Sequence, residues 1–106
     1  MIKILNPFFF RHHVQVMVFS WSSCPFCKKA KALLDATGAK YTAIELNEME
    51  DGQAYRAALA LKTDRTSMPN IFIGGEACGG CNDGPGVATL EKEGKLRGML
   101  QAAGAL

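Results

Sequence analysis

A chain of 106 residues holds one domain and leaves no room for a second core. With 48% apolar and 21% charged residues it has a globular rather than a disordered composition, and a formal charge of +2 demands neither a nucleic-acid nor a membrane partner. No run approaches the roughly 20 apolar residues that span a bilayer.

The chain opens on Met1 to His13, where Phe8-Phe9-Phe10 follows Asn6-Pro7 and precedes Arg11-His12-His13. No small-residue cleavage site follows the short apolar run, so residues 1–13 read as an atypical N-terminal extension, not a secretory signal, ahead of a domain over 14–106. Val14 to Phe19 is apolar or β-branched at nearly every position, as in a central strand covered on both faces. Ser20 to Ser23 surround Trp21 with turn-forming residues and lead into Cys24. Pro25 suits the first position of a helix, where a missing N–H costs nothing. Phe26, Ala30, Leu33 and Leu34 then recur on one helical face, Lys28, Lys29 and Lys31 share the wetter side, and Gly38 is a natural stop. Tyr41 to Leu46 alternates as a second strand. The unit is βαβ, which implies a parallel pair with a right-handed crossover.

Asp51 or Gly52 opens a second helix with Tyr55, Ala58 and Leu59 facing inward and Lys62 near its end. A polar loop from Thr63 ends at Pro69, Asn70 to Ile73 is a third strand, and Gly74-Gly75 turns it back into Glu76-Ala77-Cys78 as a hairpin. Gly79-Gly80 breaks that strand. From Gly86 onward Val87, Leu90, Leu96, Met99 and Leu100 predict helix with a kink near Gly94. The order β-α-β-α-β-β-α predicts an α/β domain with helices on both faces of four strands.

The four cysteines fall as two Cys-x-x-Cys pairs, Cys24/Cys27 and Cys78/Cys81. Each closes too short a loop to staple the domain. A shared zinc site is disfavoured because about 50 residues separate the pairs, beyond the usual zinc spacings. The first pair sits at a strand-to-helix junction, where free N–H groups and the helix dipole stabilise an anion. Cys24, at the helix mouth, is the candidate nucleophile, with Lys28 as a nearby cation; Cys27, one turn in, lies within disulfide reach. Pro69, leading into a strand, is a candidate cis-proline that presents the Met68 backbone to an extended thiol peptide, against the commoner trans proline of an edge strand. Gly79 to Gly84 permits close backbone approach. Asn82 or Asp83 there either caps the next helix or meets a ligand, Asp83 suiting an ammonium group.

Together these segments resemble the glutaredoxin family from about Val14 to Gly104. The likeness rests on Phe19-Ser20, Cys24-Pro25-Phe26-Cys27-Lys28-Lys29-Ala30-Lys31, Glu45-Leu46, Asp51-Gly52, Thr63 to Gly75, Gly79-Gly80-Cys81-Asn82-Asp83 and Gly94-Lys95-Leu96-Arg97, in that order. The resemblance implies a thioredoxin-like fold, a four-stranded mixed sheet flanked by helices. It implies a glutathione-dependent thiol–disulfide oxidoreductase with Cys24 as nucleophile and Cys27 as resolving thiol. Glutathione, a co-substrate, would lie between the redox helix, the proline loop and the Gly-Gly turn. The Met68 backbone beside Pro69 would pair with its cysteine moiety, Asn82 and Asp83 would hold its γ-glutamyl end, Arg65 would reach its glycine carboxylate, and Phe26 would form part of the wall. The expected partners are glutathione and glutathionylated or disulfide-bonded proteins, with no metal, and the chain is expected to be a monomer. A reducing space, the cytoplasm or an organelle, is the expected location.

Two departures stand out. The family usually carries Lys three residues before the first Cys, where Trp21 stands here and reads as a surface or packing aromatic, and it usually has a helix where residues 1–13 pattern poorly as one. Cys78, in place of an aliphatic residue, reads as a small buried hydrophobe or, near the groove, a second redox thiol, and Cys81 beside the ligand turn likewise reads as inert or redox-active. A thioredoxin-like reductase is disfavoured because Trp does not precede Cys24 and the pair encloses Pro-Phe. The alternative from another class is a dimer binding an iron–sulfur cluster through Cys24 and glutathione, which Pro25 disfavours by stiffening the site.

Overall fold

The computed structural model describes residues 15–106; Val14 and the N-terminal extension lie outside the described residues. Four strands, β1 (Val16–Ser20), β2 (Thr42–Glu45), β3 (Asn70–Ile73) and β4 (Glu76–Gly79), form one sheet in the order β2-β1-β3-β4. β1 runs parallel to β2 and antiparallel to β3, and β3 pairs antiparallel with β4. This is the mixed sheet that a βαβ unit followed by a hairpin dictates.

Helix α1 (Pro25–Thr37) begins with Pro at its first turn and ends at Gly38. That glycine takes φ 80°, the left-handed cap that a side chain resists. Helix α2 (Gly52–Thr63) follows a 3₁₀ turn at Leu46–Glu48. The predicted last helix is divided into α3 (Val87–Lys92) and α4 (Leu96–Ala102), with the break at Gly94 where the kink was expected.

Alternation along β1 builds two cores. Val16 and Val18 face Ala30 and Leu34 of α1 together with Val87, Leu90, Leu96 and Leu100 of α3 and α4. Met17 and Phe19 face the other way, onto Phe72, Leu46 and Leu59 of α2. Phe19 and Phe72 meet edge to face with centroids 6.0 Å apart. Every β1 residue is buried, the apolar run Val16–Phe19 as expected of a central strand and the polar Ser20 with it. Truncating a fully buried side chain such as Leu34 to Ala is expected to cost about 2–5 kcal/mol.

Phe26 departs from the predicted inward stripe. Cys27, not Phe26, joins Ala30 and Leu34 as the buried face of α1, and Phe26 is 56% exposed. Among the described residues, no helix is long and apolar enough to cross a membrane.

Candidate active site

The C-terminal end of β1 delivers the chain through Trp21–Ser23 to the mouth of α1. Ser22 and Asn47 hold that approach by two reciprocal bonds, Ser22 N–H to Asn47 Oδ1 (2.9 Å) and Asn47 Nδ2 to Ser22 Oγ (2.7 Å). Trp21 packs half-buried against the Met17–Phe72 core, as an aromatic there was expected to do. Its carbonyl accepts the Cys24 N–H at 3.1 Å, and its own N–H points to Cys27 Sγ at 3.5 Å.

Cys24 is the N-cap of α1, and its sulfur accepts the Cys27 N–H at 3.3 Å. Burial alone pushes the Cys24 thiol up. The Cys27 thiol, the Cys27 and Phe26 N–H groups and the charge of Lys31 outweigh it, so the pKa lies below 9.0. Lys28 has no such role. The contributing cation is Lys31, predicted on the wetter side but half-buried and paired with Glu45 Oε2 at 2.8 Å. Cys27 is fully buried, and chiefly that burial drives its pKa up to about 11. One thiol is poised to ionise and its neighbour to stay protonated.

The Met68–Pro69 peptide bond is cis, as expected, and the Cys24 thiol donates to the Met68 carbonyl at 3.7 Å. Beside it opens a cleft of about 330 Å³ lined by Phe26, Arg65, Ser67, Met68, Pro69, Cys81, Asn82 and Asp83. It brings together the six binding residues predicted from three separate segments. Asn82 and Asp83 do not cap α3, whose N-cap is Gly86 with no side-chain bond. Asp83 instead forms a bidentate pair with Arg65, Nη1 to Oδ2 at 3.0 Å and Nη2 to Oδ1 at 3.1 Å, which holds its carboxyl below the usual range.

These features match known proteins. The Glutaredoxin family model matches residues 16–78. The chain is 43% identical to Glutaredoxin-C2 of Arabidopsis thaliana over 91 residues, covering 86% of this chain and 79% of that protein. It is 44% identical to Glutaredoxin-C6 of Oryza sativa subsp. japonica over the same length, again covering 86% and 79%. Among solved structures, a buckwheat glutaredoxin–glutathione complex superposes with a TM-score of 0.88 at 36% identity, covering 99% of this chain and 94% of that one. The chain belongs to the glutaredoxin family.

Glutaredoxins are oxidoreductases, and the thioredoxin-like fold expected from the sequence is the one this chain adopts. Three members of this glutaredoxin's site escaped the sequence reading. Ser67 and Cys81 line the cleft. Ser67 carried only a loop signal. Cys81 is buried in the core as well as facing the cleft, which a glycine-flanked cysteine does not reveal. Lys31 was legible only through its later pairing with Glu45 on β2, a contact between elements. Cys78 is the buried small hydrophobe expected, 2% exposed, and burial pushes its thiol up to about 11.

Proposed function

We propose that this glutaredoxin reduces protein–glutathione mixed disulfides by a thiolate mechanism centred on Cys24. The observation that carries it is the Cys24 sulfur at the mouth of α1, its pKa lowered, 3.7 Å from the carbonyl of Met68, which lines the adjoining cleft with Phe26, Arg65, Pro69, Asn82 and Asp83.

In this reading the Cys24 thiolate attacks the glutathione sulfur of a mixed disulfide. The Cys24–glutathione bond forms, the bond to the substrate breaks, and the substrate leaves as a thiolate. A second glutathione thiolate attacks the glutathione sulfur held on Cys24. That step releases oxidised glutathione and restores the Cys24 thiolate. With a protein disulfide as substrate, Cys24 is joined to a protein sulfur, and Cys27 attacks Cys24 Sγ to release the second protein thiolate and leave a Cys24–Cys27 disulfide. Cys27 must give up its proton for this, and its high pKa keeps it in reserve otherwise.

The Met68 backbone at the cis-proline is assigned to pair with the cysteine part of glutathione. Asn82 and Asp83 are assigned to the γ-glutamyl end, Asp83 meeting its ammonium. Arg65 keeps two N–H groups beyond its bonds to Asp83 and Pro69, and these face the glycine carboxylate in this reading. Phe26 supplies an apolar wall. The buckwheat relative, solved with glutathione, supports the choice of ligand. Protein substrates carrying glutathione and a reducing compartment such as the cytoplasm belong to the same proposal.

The test is glutathione-dependent reduction of a small mixed disulfide, with glutathione reductase regenerating the glutathione. Turnover is expected from the wild type and from Cys27→Ser, and none from Cys24→Ser. Turnover surviving in Cys24→Ser overturns the assignment.

A further inference from the structure

The guanidinium of Arg65 is largely withdrawn from solvent, its side chain 16% exposed against 67% for Asp83. Three of its five N–H donors are committed: Nη1 and Nη2 to the two oxygens of Asp83, and Nε to the Pro69 carbonyl at 3.1 Å. Arg65 thus joins the cis-proline loop, one wall of the cleft, to the Gly79–Gly84 turn, the other wall. The turn is built to receive it. A Cβ on Gly80 would run into Arg65 Nη2 and lie 2.7 Å from Asp83 Oδ1, so a side chain there would force the pair to shift. The Gly80 N–H meanwhile bonds the Asp83 carbonyl at 2.8 Å, fixing the backbone of the residue whose carboxylate Arg65 holds.

We infer that Arg65 is a positioning residue for glutathione, setting the orientation of the Asp83 carboxylate rather than binding the tripeptide's glycine carboxylate as its main task. This rests on the glutathione reading above and narrows the part of Arg65 within it. An exposed aspartate in a glycine-rich turn has many rotamers open to it, and a two-point fork removes that freedom before the ligand arrives. The fork engages one lone pair on each oxygen, so the carboxylate retains acceptor capacity for the ammonium of a γ-glutamyl group. Lysine at this position keeps the charge and loses both the fork and the Pro69 bond.

The experiment compares three mixed disulfides of one small thiol: with glutathione, with its analogue lacking the α-amino group, and with its analogue amidated at the glycine carboxylate. Arg65→Lys is expected to raise KM for the glutathione substrate about tenfold, with kcat within about twofold because Cys24 is untouched. The penalty is expected to persist on the glycine amide and to vanish on the desamino analogue. In an Asp83→Asn background, which keeps the shape of the turn, Arg65→Lys is expected to add less than about twofold. A penalty that survives on the desamino substrate, or that adds in full to Asp83→Asn, overturns the inference and makes Arg65 a direct ligand. If the wild type itself handles all three substrates with the same KM, the glutathione reading of the cleft fails, and the inference falls with it.

Discussion

Cys24–Cys27 and Cys78–Cys81 share one spacing within one fold, yet the first pair caps a helix and the second straddles the end of strand β4. At Cys24 the helix mouth supplies N–H groups to the sulfur, and its pKa falls despite burial. At Cys78 burial outweighs the one backbone N–H, that of Ile73, that acts on the sulfur, and its pKa climbs to about 11; burial likewise raises Cys81. Cys81 borders the cleft and still lacks the thiolate character of Cys24. Spacing therefore decides which sulfurs can meet, while burial and the hydrogen bonds to each decide whether it ionises.

The most direct way to break this contrast is to remove each pair in turn. Cys24→Ser is expected to lower mixed-disulfide turnover by at least about 10³-fold, since a serine hydroxyl does not ionise at neutral pH. The double variant Cys78→Ala/Cys81→Ala is expected to stay within about threefold of wild type in the same assay. A large loss in the double variant would mean that the second pair takes part in turnover. Its cost is expected in stability instead: Cys78→Ser buries a hydroxyl in an apolar cluster and should lower the unfolding free energy by about 1–3 kcal/mol in urea titrations.

Cys24 and the buried thiols also differ in how they tie stability to pH. The folded state lowers the Cys24 pKa, so its contribution to the reduced protein is complete above pH 9.0 and is lost as pH falls through the folded value. Cys27 and Cys78 run the other way. Their thiols stay protonated in the fold, so the stability they carry is complete below 9.0 and drains as pH rises toward about 11. Thermal melts of the reduced protein are expected to show Tm falling between pH 9 and 11, and Cys78→Ala should lessen that fall by several degrees. An identical fall in the variant would remove Cys78 from the account.

Much of this was legible in the sequence because the signals were local. The apolar run of β1, Pro25 at the start of α1, Gly38 at its end and the Gly74-Gly75 turn each specify their own backbone, and they produced the right order of elements. The cleft residues were legible only as a set, through their order along the chain. What stayed hidden were contacts between elements. Phe26 satisfies the helical spacing of a core residue, but the packing of α1 buries Cys27 in its stead. Asp83 has the character of a cap, but the turn aims it at Arg65, 18 positions earlier. Periodicity reports which side of an element is apolar, and says little about which polar groups meet across a loop.

The smallest expected effect tests how far charge, as distinct from the helix mouth, sets Cys24 apart. Lys31 lies two turns into α1, its ammonium held at 2.8 Å by Glu45 on the neighbouring strand, with both side chains about one-fifth exposed. A single charge acting through partly hydrated protein is worth on the order of 0.5 kcal/mol at such range, well below the N–H groups that touch the sulfur. Lys31→Met keeps the apolar stem and removes the charge. It should raise the Cys24 pKa and slow alkylation of Cys24 by iodoacetamide about twofold at pH 6, with the difference narrowing as pH rises past the folded pKa. Glu45→Gln frees the same ammonium from its counter-charge and should leave the rate at pH 6 unchanged or slightly faster. Because the effect is Coulombic, 0.5 M salt should erase most of the difference between wild type and Lys31→Met. A difference that resists salt would mean that the lysine acts by packing α1 against β2, and the helix mouth would then account for the whole contrast between the two cysteine pairs.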